Sequence, residues 1–108
     1  MKLVRDKIPE IIKKDGKSCS WHFASKEEKK DWKCSEYGYR LLEKMREELT
    51  EFEEDFSIEE FADIYEVFSA MLKNWNFKLS TVKLHARKKA LKNGKFTKGI
   101  VLESVSDE

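Results

Sequence analysis

Helix breakers are scarce in this chain: one proline, Pro9, and four glycines among 108 residues. That scarcity excludes a Gly/Pro-rich linker, and no repeat or low-complexity tract divides the chain. Long apolar runs are also missing. None approaches the ~20 residues that a membrane span requires, and the opening MKLVRDKIPE lacks the pattern of a signal peptide. A soluble, cytoplasmic protein is therefore expected. Cysteine occurs only at Cys19 and Cys34, which in that compartment are expected to be thiols and not a disulfide. Net charge is small, at +1, so the totals give no sign of a polyanion-binding protein.

What is present is charge in an uneven arrangement. Hydrophobic and charged residues each make up 40% of the chain, the composition of an amphipathic helical protein. Residues 43–66 hold eleven acidic side chains against Lys44 and Arg46 alone. Residues 67–102 hold nine Lys or Arg and no Asp or Glu. A single all-α domain over residues 1–108 is expected, built on a helical hairpin of four-helix-bundle type. A chain of this size buries only ~65% of its unfolded surface. A homodimer or higher assembly is therefore expected to complete the core.

The periodicity predicts four helices. The first runs over residues 7–14, with Asp6 as N-cap and Gly16 past its end. The second runs over residues 36–55 after Ser35, with the stripe Leu41, Leu42, Met45, Leu49, Phe52 and Phe56. The third runs over residues 58–75, with the stripe Phe61, Ile64, Phe68, Met71, Leu72 and Trp75, and Ser57 with Glu60 reads as a capping box. The link between these two is very short, which makes them antiparallel neighbours. The fourth runs from after Ser80 to Lys92 and ends at Asn93-Gly94. Ser25 and Glu28 form a further capping-box pattern, which opens a short helix over residues 26–33. Residues 17–23 and 95–105 are expected as extended segments that could pair in a small two-stranded β-ribbon.

On helical wheels Glu48 lies ~70° and Glu51 ~130° from the stripe centre of the second helix, and Glu60 ~65° and Asp63 ~125° from that of the third. The offsets fall on the same side of each helix, so an antiparallel pair lines all four carboxylates along one seam. Glu47 points further out and stacks with Glu51. An acidic helix face is ordinarily just solvated, but such a face puts its acids opposite the apolar stripe. Clustered carboxylates repel one another, and Mg²⁺ or Mn²⁺ would relieve that repulsion with oxygen ligands.

These residues, with the opening Lys2-Leu3-Val4-Arg5-Asp6-Lys7-Ile8-Pro9-Glu10-Ile11-Ile12, form a familiar set. Glu47-Glu48-Leu49-Thr50-Glu51 reads as EExxE, and Glu60-Phe61-Ala62-Asp63 as ExxD. Together with the closing Asn93-Gly94-Lys95-Phe96 and Gly99-Ile100-Val101-Leu102, they resemble the phosphoribosyl-ATP pyrophosphohydrolase-like and MazG-like all-α nucleoside triphosphate pyrophosphatases. The resemblance spans nearly the whole chain. It implies hydrolysis of a nucleoside triphosphate between the α and β phosphates, giving monophosphate and pyrophosphate. It implies Mg²⁺ (or Mn²⁺) on Glu48, Glu51, Glu60 and Asp63, with Glu47 as a ligand or as the orienter of the attacking water. Eight residues separate Glu51 from Glu60, fewer than the family usually has.

Arg87 and Lys95 are the first candidates to hold the triphosphate, and Arg5 and Lys7 either reach it from the opening or only fix the N-terminus. Cys19, His22, Cys34 and His85 supply only half of a usual zinc spacing, so ordinary packed residues are expected there. Trp21, Trp32, Trp75 and Tyr65 are expected in the core more than stacked on a base. Two alternatives stand beside the enzyme. One is a non-catalytic helical interaction module, which the short spacer favours. The other is a nucleic-acid-binding protein using residues 73–98, against which the +1 charge and the acidic hairpin argue.

Overall fold

The computed structural model describes residues 1–28 and 34–106. It is all-helical, with α1 (Ile8–Lys14), α2 (Glu36–Glu54), α3 (Ile58–Asn74) and α4 (Leu79–Asn93) in chain order. No strand occurs among the described residues, whose one β-bridge is the isolated pair Glu28 and Ser35. The ribbon expected from residues 17–23 and 95–105 is therefore absent from both segments. Their side chains are almost all exposed, so no buried face is there to fix a strand register. Residues 26–28 are not helical. The Ser25 hydroxyl accepts from the Glu27 amide at 3.2 Å and closes a local turn. The rest of the helix expected over residues 26–33 lies outside the described residues.

Two compact units divide the chain, Met1–Asn76 and Phe77–Glu108. In the first, α2 and α3 pack against each other, joined by the three residues Asp55, Phe56 and Ser57. Both helices start as their cap residues dictate. The Ser35 hydroxyl accepts from the Gly38 amide at 3.1 Å, and the Ser57 hydroxyl accepts from the Glu60 amide at 3.2 Å. At the hairpin tip Phe52 meets Phe56 edge-on at 5.1 Å and Phe61 at 5.3 Å, which closes the turn with apolar contact. Leu41 and Val67 are the buried hydrophobic residues of the described chain. Gly38 sits in the first turn of α2, where a Cβ would lie 3.1 Å from the Cys34 Cβ and 3.4 Å from the Asn74 Nδ2.

The first helix begins one residue later than its sequence suggests. Lys7, not Asp6, holds the cap position, without a side-chain hydrogen bond, and Pro9 falls in the first turn. Asn76, at φ 55°, ends the first unit in the left-handed conformation that asparagine tolerates. In the second unit α4 follows Lys78 with no side-chain cap and stops at Gly94, φ 89°. Nearly all of its residues are exposed.

Ser57 positions the start of α3, and with it two of the candidate metal ligands. Ser57→Ala is expected to cost about 1 kcal/mol. The cost would be seen as a lower urea midpoint with an unchanged slope, and Ser57→Asp is expected to restore most of it.

Candidate metal centre

The acidic seam forms. Glu47, Glu48 and Glu51 on α2 bring one carboxylate oxygen each within 4.8 Å of one another. Glu48 does the same with Glu60 and Asp63 on α3, so the two groups share Glu48. The eight-residue spacer is used up by the last residues of α2, the three-residue link and the first two residues of α3, and the carboxylates of both helices still converge. Glu47, expected to point further out, is half-buried and belongs to the seam.

Burial makes this cluster costly. Glu48 is 5% exposed, deeper than any other described carboxylate. Its Oε2 and the Oε2 of Glu60 are buried with no hydrogen-bond partner. Loss of water pushes the Glu48 carboxyl above its ordinary value; the Lys44 ammonium opposes this, and Glu51 and Asp63 add to it. Desolvation likewise raises Glu60, followed by the charges of Glu51 and Asp63. Unpartnered, crowded oxygens of this kind suit a hard divalent cation, which takes only oxygen ligands and supplies the missing charge. The two groups could therefore hold a metal ion.

Among the described residues, three cations border the seam. Lys44 places its ammonium 3.3 Å from both Glu47 Oε2 and Glu48 Oε1. Lys2 reaches Glu47 Oε1 at 3.2 Å, and Arg5 reaches Asp63 Oδ1 at 2.6 Å. Burial works to raise the Glu47 carboxyl, but the bonds from Lys2 and Lys44 hold it below the ordinary range. Arg5 thus ties the N-terminal segment to a carboxylate of the seam. Lys44 and Lys2 escaped the sequence reading. The readable sign for Lys44 is its spacing, three residues before Glu47 and four before Glu48 on one helix. Nothing local marks Lys2, whose partner is 45 residues away.

A pocket of ≈ 560 Å³ opens beside the seam, in the first unit, between the N-terminal segment and the hairpin. Lys7 lines it together with Arg5, Lys44, Glu48 and Asp63. Arg87 and Lys95 belong to the second unit and are exposed.

The remaining candidates stay outside the seam. Both cysteines are free. His22 Nε2 lies 3.3 Å from Glu36 Oε1, and among the described residues no cysteine or histidine joins a group able to hold a metal. Trp21 and Tyr65 are exposed at 56% and 63%, not in a core, because two buried hydrophobic positions leave little core for large rings to enter. Trp75 is half-buried, and Trp32 lies outside the described residues. Among the described residues no helix is long and apolar enough to cross a membrane. No family model, no curated protein and no solved structure matches this chain.

Proposed function

We propose that this protein is a metal-dependent nucleoside triphosphate pyrophosphohydrolase, cleaving between the α and β phosphates to release monophosphate and pyrophosphate. The observation that carries the reading is the pair of carboxylate groups joined at the buried Glu48, with unpartnered oxygens on Glu48 and Glu60. The resemblance of the opening, EExxE, ExxD and closing segments, in that order, supports it.

Glu48, Glu51, Glu60 and Asp63 would hold Mg²⁺ or Mn²⁺. Bound there, the metal would supply Lewis-acid charge for the phosphates and acidify a water. Glu47 either adds a ligand or accepts a proton from the attacking water and aims it along the α-phosphorus to leaving-oxygen line. Lys2 and Lys44 flank Glu47 and keep it ionised, the form either task needs. Arg5 holds Asp63 through an ion pair whose arginine side chain is 58% exposed. Such a pair contributes little to stability, so the guanidinium can turn toward a phosphate. Lys7, Arg87 and Lys95 are the further phosphate-binding candidates. The setting is cytoplasmic, and the assembly a homodimer or larger. Phe56 at 77% exposure and Ile58 at 75% leave apolar surface at the hairpin tip for a second copy to cover. Light scattering is expected to return at least twice the chain mass.

The test is incubation with a panel of nucleoside triphosphates and Mg²⁺ or Mn²⁺, with product identification. Monophosphate and pyrophosphate are expected, falling by about 10²-fold or more in Asp63→Asn, the scale of losing one charge-stabilising group. A folded protein that turns over no nucleotide under any metal would transfer the reading to a non-catalytic helical module. Binding of an oligonucleotide that fell steeply with salt would instead favour the nucleic-acid reading.

A further inference from the structure

We propose that α4 of one copy of this chain docks on an exposed apolar stripe of α3 in a second copy, its cations beside the glutamates that border the stripe. This rests on the assembly part of the reading above and adds to it the two surfaces that meet.

α4 lacks what ordinarily holds a helix of its length. It has 15 residues, none of them buried, and no side-chain cap at its start. An isolated helix this short is marginal in water, and packing of one face supplies most of a helix's stability. Its cations Lys83, Arg87, Lys88, Lys89 and Lys92 have no acidic residue on the helix to balance them. Lys83 with Arg87, and Lys88 with Lys92, are like-charged pairs at i,i+4, which oppose helix formation. Among the described residues none of the five joins an ion pair. Leu84 and Leu91 are exposed. Two helical turns apart, they share one face, and Arg87 and Lys88 fall on either side of the line between them.

α3 carries the complement. Ile58, Phe61, Ala62 and Tyr65 recur at helical spacing and form one stripe, and all four are exposed. Glu59 and Glu66, also exposed and two turns apart, border it. Among the described residues neither joins an ion pair. The spans match, since seven residues cover about 10 Å on either helix. Leu84 and Leu91 can therefore rest along the stripe from Ile58 to Tyr65 while the cations face Glu59 and Glu66. Docking in both directions closes a two-fold dimer.

Other occupants match only half of each surface. A polyanion would pair with the cations of α4 but leave Leu84 and Leu91 in water and the stripe of α3 uncovered. A purely apolar surface would desolvate the cations without partners. A second copy brings apolar surface and opposite charge at the same spacing, and supplies one α3 for every α4.

The experiment reverses charge on each surface of the whole chain and reads mass by sedimentation. One variant carries Lys88→Glu with Lys92→Glu, the other Glu59→Lys with Glu66→Lys. The wild type is expected to be a dimer. Each variant alone sets like charges against each other and is expected to self-associate about a hundredfold more weakly or worse. An equal mixture is expected to dimerise again, because both contacts of the mixed dimer then pair opposite charges. Should either variant fold poorly, amide shifts of the wild type on dilution take its place, expected to move together at residues 58–66 and 84–92. Variants that stay dimeric, a mixture that stays monomeric, or dilution shifts confined to other residues would overturn the α3–α4 contact and leave the assembly reading standing. A monomeric wild type would overturn both, and an oligonucleotide that it bound through Lys88 and Lys92 would name the other occupant.

Discussion

Glu48→Gln is expected to make the metal-free protein more stable at neutral pH and, in the same molecule, to cut metal-dependent pyrophosphate release sharply. Both effects come from one buried charge. Glu48 is 5% exposed, its Oε2 has no partner, and Glu51 and Asp63 repel it. The amide keeps the shape, can still accept from Lys44 through its oxygen, and removes the repulsion. Relief of this kind is worth ~0.5–2 kcal/mol, or several degrees in melting temperature for a chain of this size. The variant loses the carboxylate common to both ligand groups, so hydrolysis is expected to fall by about 10²-fold or more. Addition of Mn²⁺ is expected to raise the melting temperature of the wild type and leave that of the variant unchanged. A variant less stable than the wild type would show that Glu48 is held as a structural partner of Lys44.

The pH dependence follows with a definite sign. Burial raises the carboxyls of Glu48 and Glu60. The folded state therefore binds more protons than the unfolded chain above the ordinary glutamate value of ~4.3. Between that value and their raised values, stability of the metal-free protein falls as pH increases. The backbone amide of Ser25, aided by His22, lowers Glu36 against the opposing effect of burial. Lys2 and Lys44 lower Glu47, likewise against burial. Stability from those two is complete above the ordinary value and is lost only as pH drops through their lowered values. The windows do not overlap. A melting series from about pH 4.5 to about pH 7.5 is expected to decline without metal, more weakly in Glu48→Gln, and to flatten with saturating Mn²⁺. A wild-type series without that decline would count against charge crowding in the seam.

Leu41→Ala is expected to remove a large share of the first unit's stability. Leu41 is 1% exposed and, with Val67, is the buried apolar material on which α2 and α3 meet. Leu→Ala in such a site costs about 3 kcal/mol, a large share of the ~5–15 kcal/mol that a whole domain has. The melting temperature is expected to drop by more than about 10 °C, measured by circular dichroism. Leu41→Met, which nearly conserves volume, is expected to cost less than ~1.5 kcal/mol. An Ala variant within about 3 °C of wild type would mean that the hairpin draws its stability from elsewhere, with burial against a second copy the first place to look.

The helices were legible because their signals are local. Ser35 and Ser57 cap where the pattern puts a cap, and the stripes on α2 and α3 have the period of one buried face. Wheel geometry was sufficient to bring Glu48, Glu60 and Asp63 together, since a three-residue link fixes two helices antiparallel and the stripes fix their rotation. Local signals were less decisive where they stood alone. Asp6 did not cap α1, and the alternating residues 17–23 formed no strand.

The chain by itself determined the helical class, the hairpin, and which carboxylates line its seam, because each of these depends on spacings within a few turns. Tertiary structure alone decided how deeply Glu48 is buried, that Lys2 and Arg5 cross to Glu47 and Asp63, and that the N-terminal segment walls a pocket over Leu41 and Val67. The two crossing ion pairs join residues 45 and 58 positions apart. Their energy depends on the shape and dielectric of the packed molecule, which no local periodicity encodes.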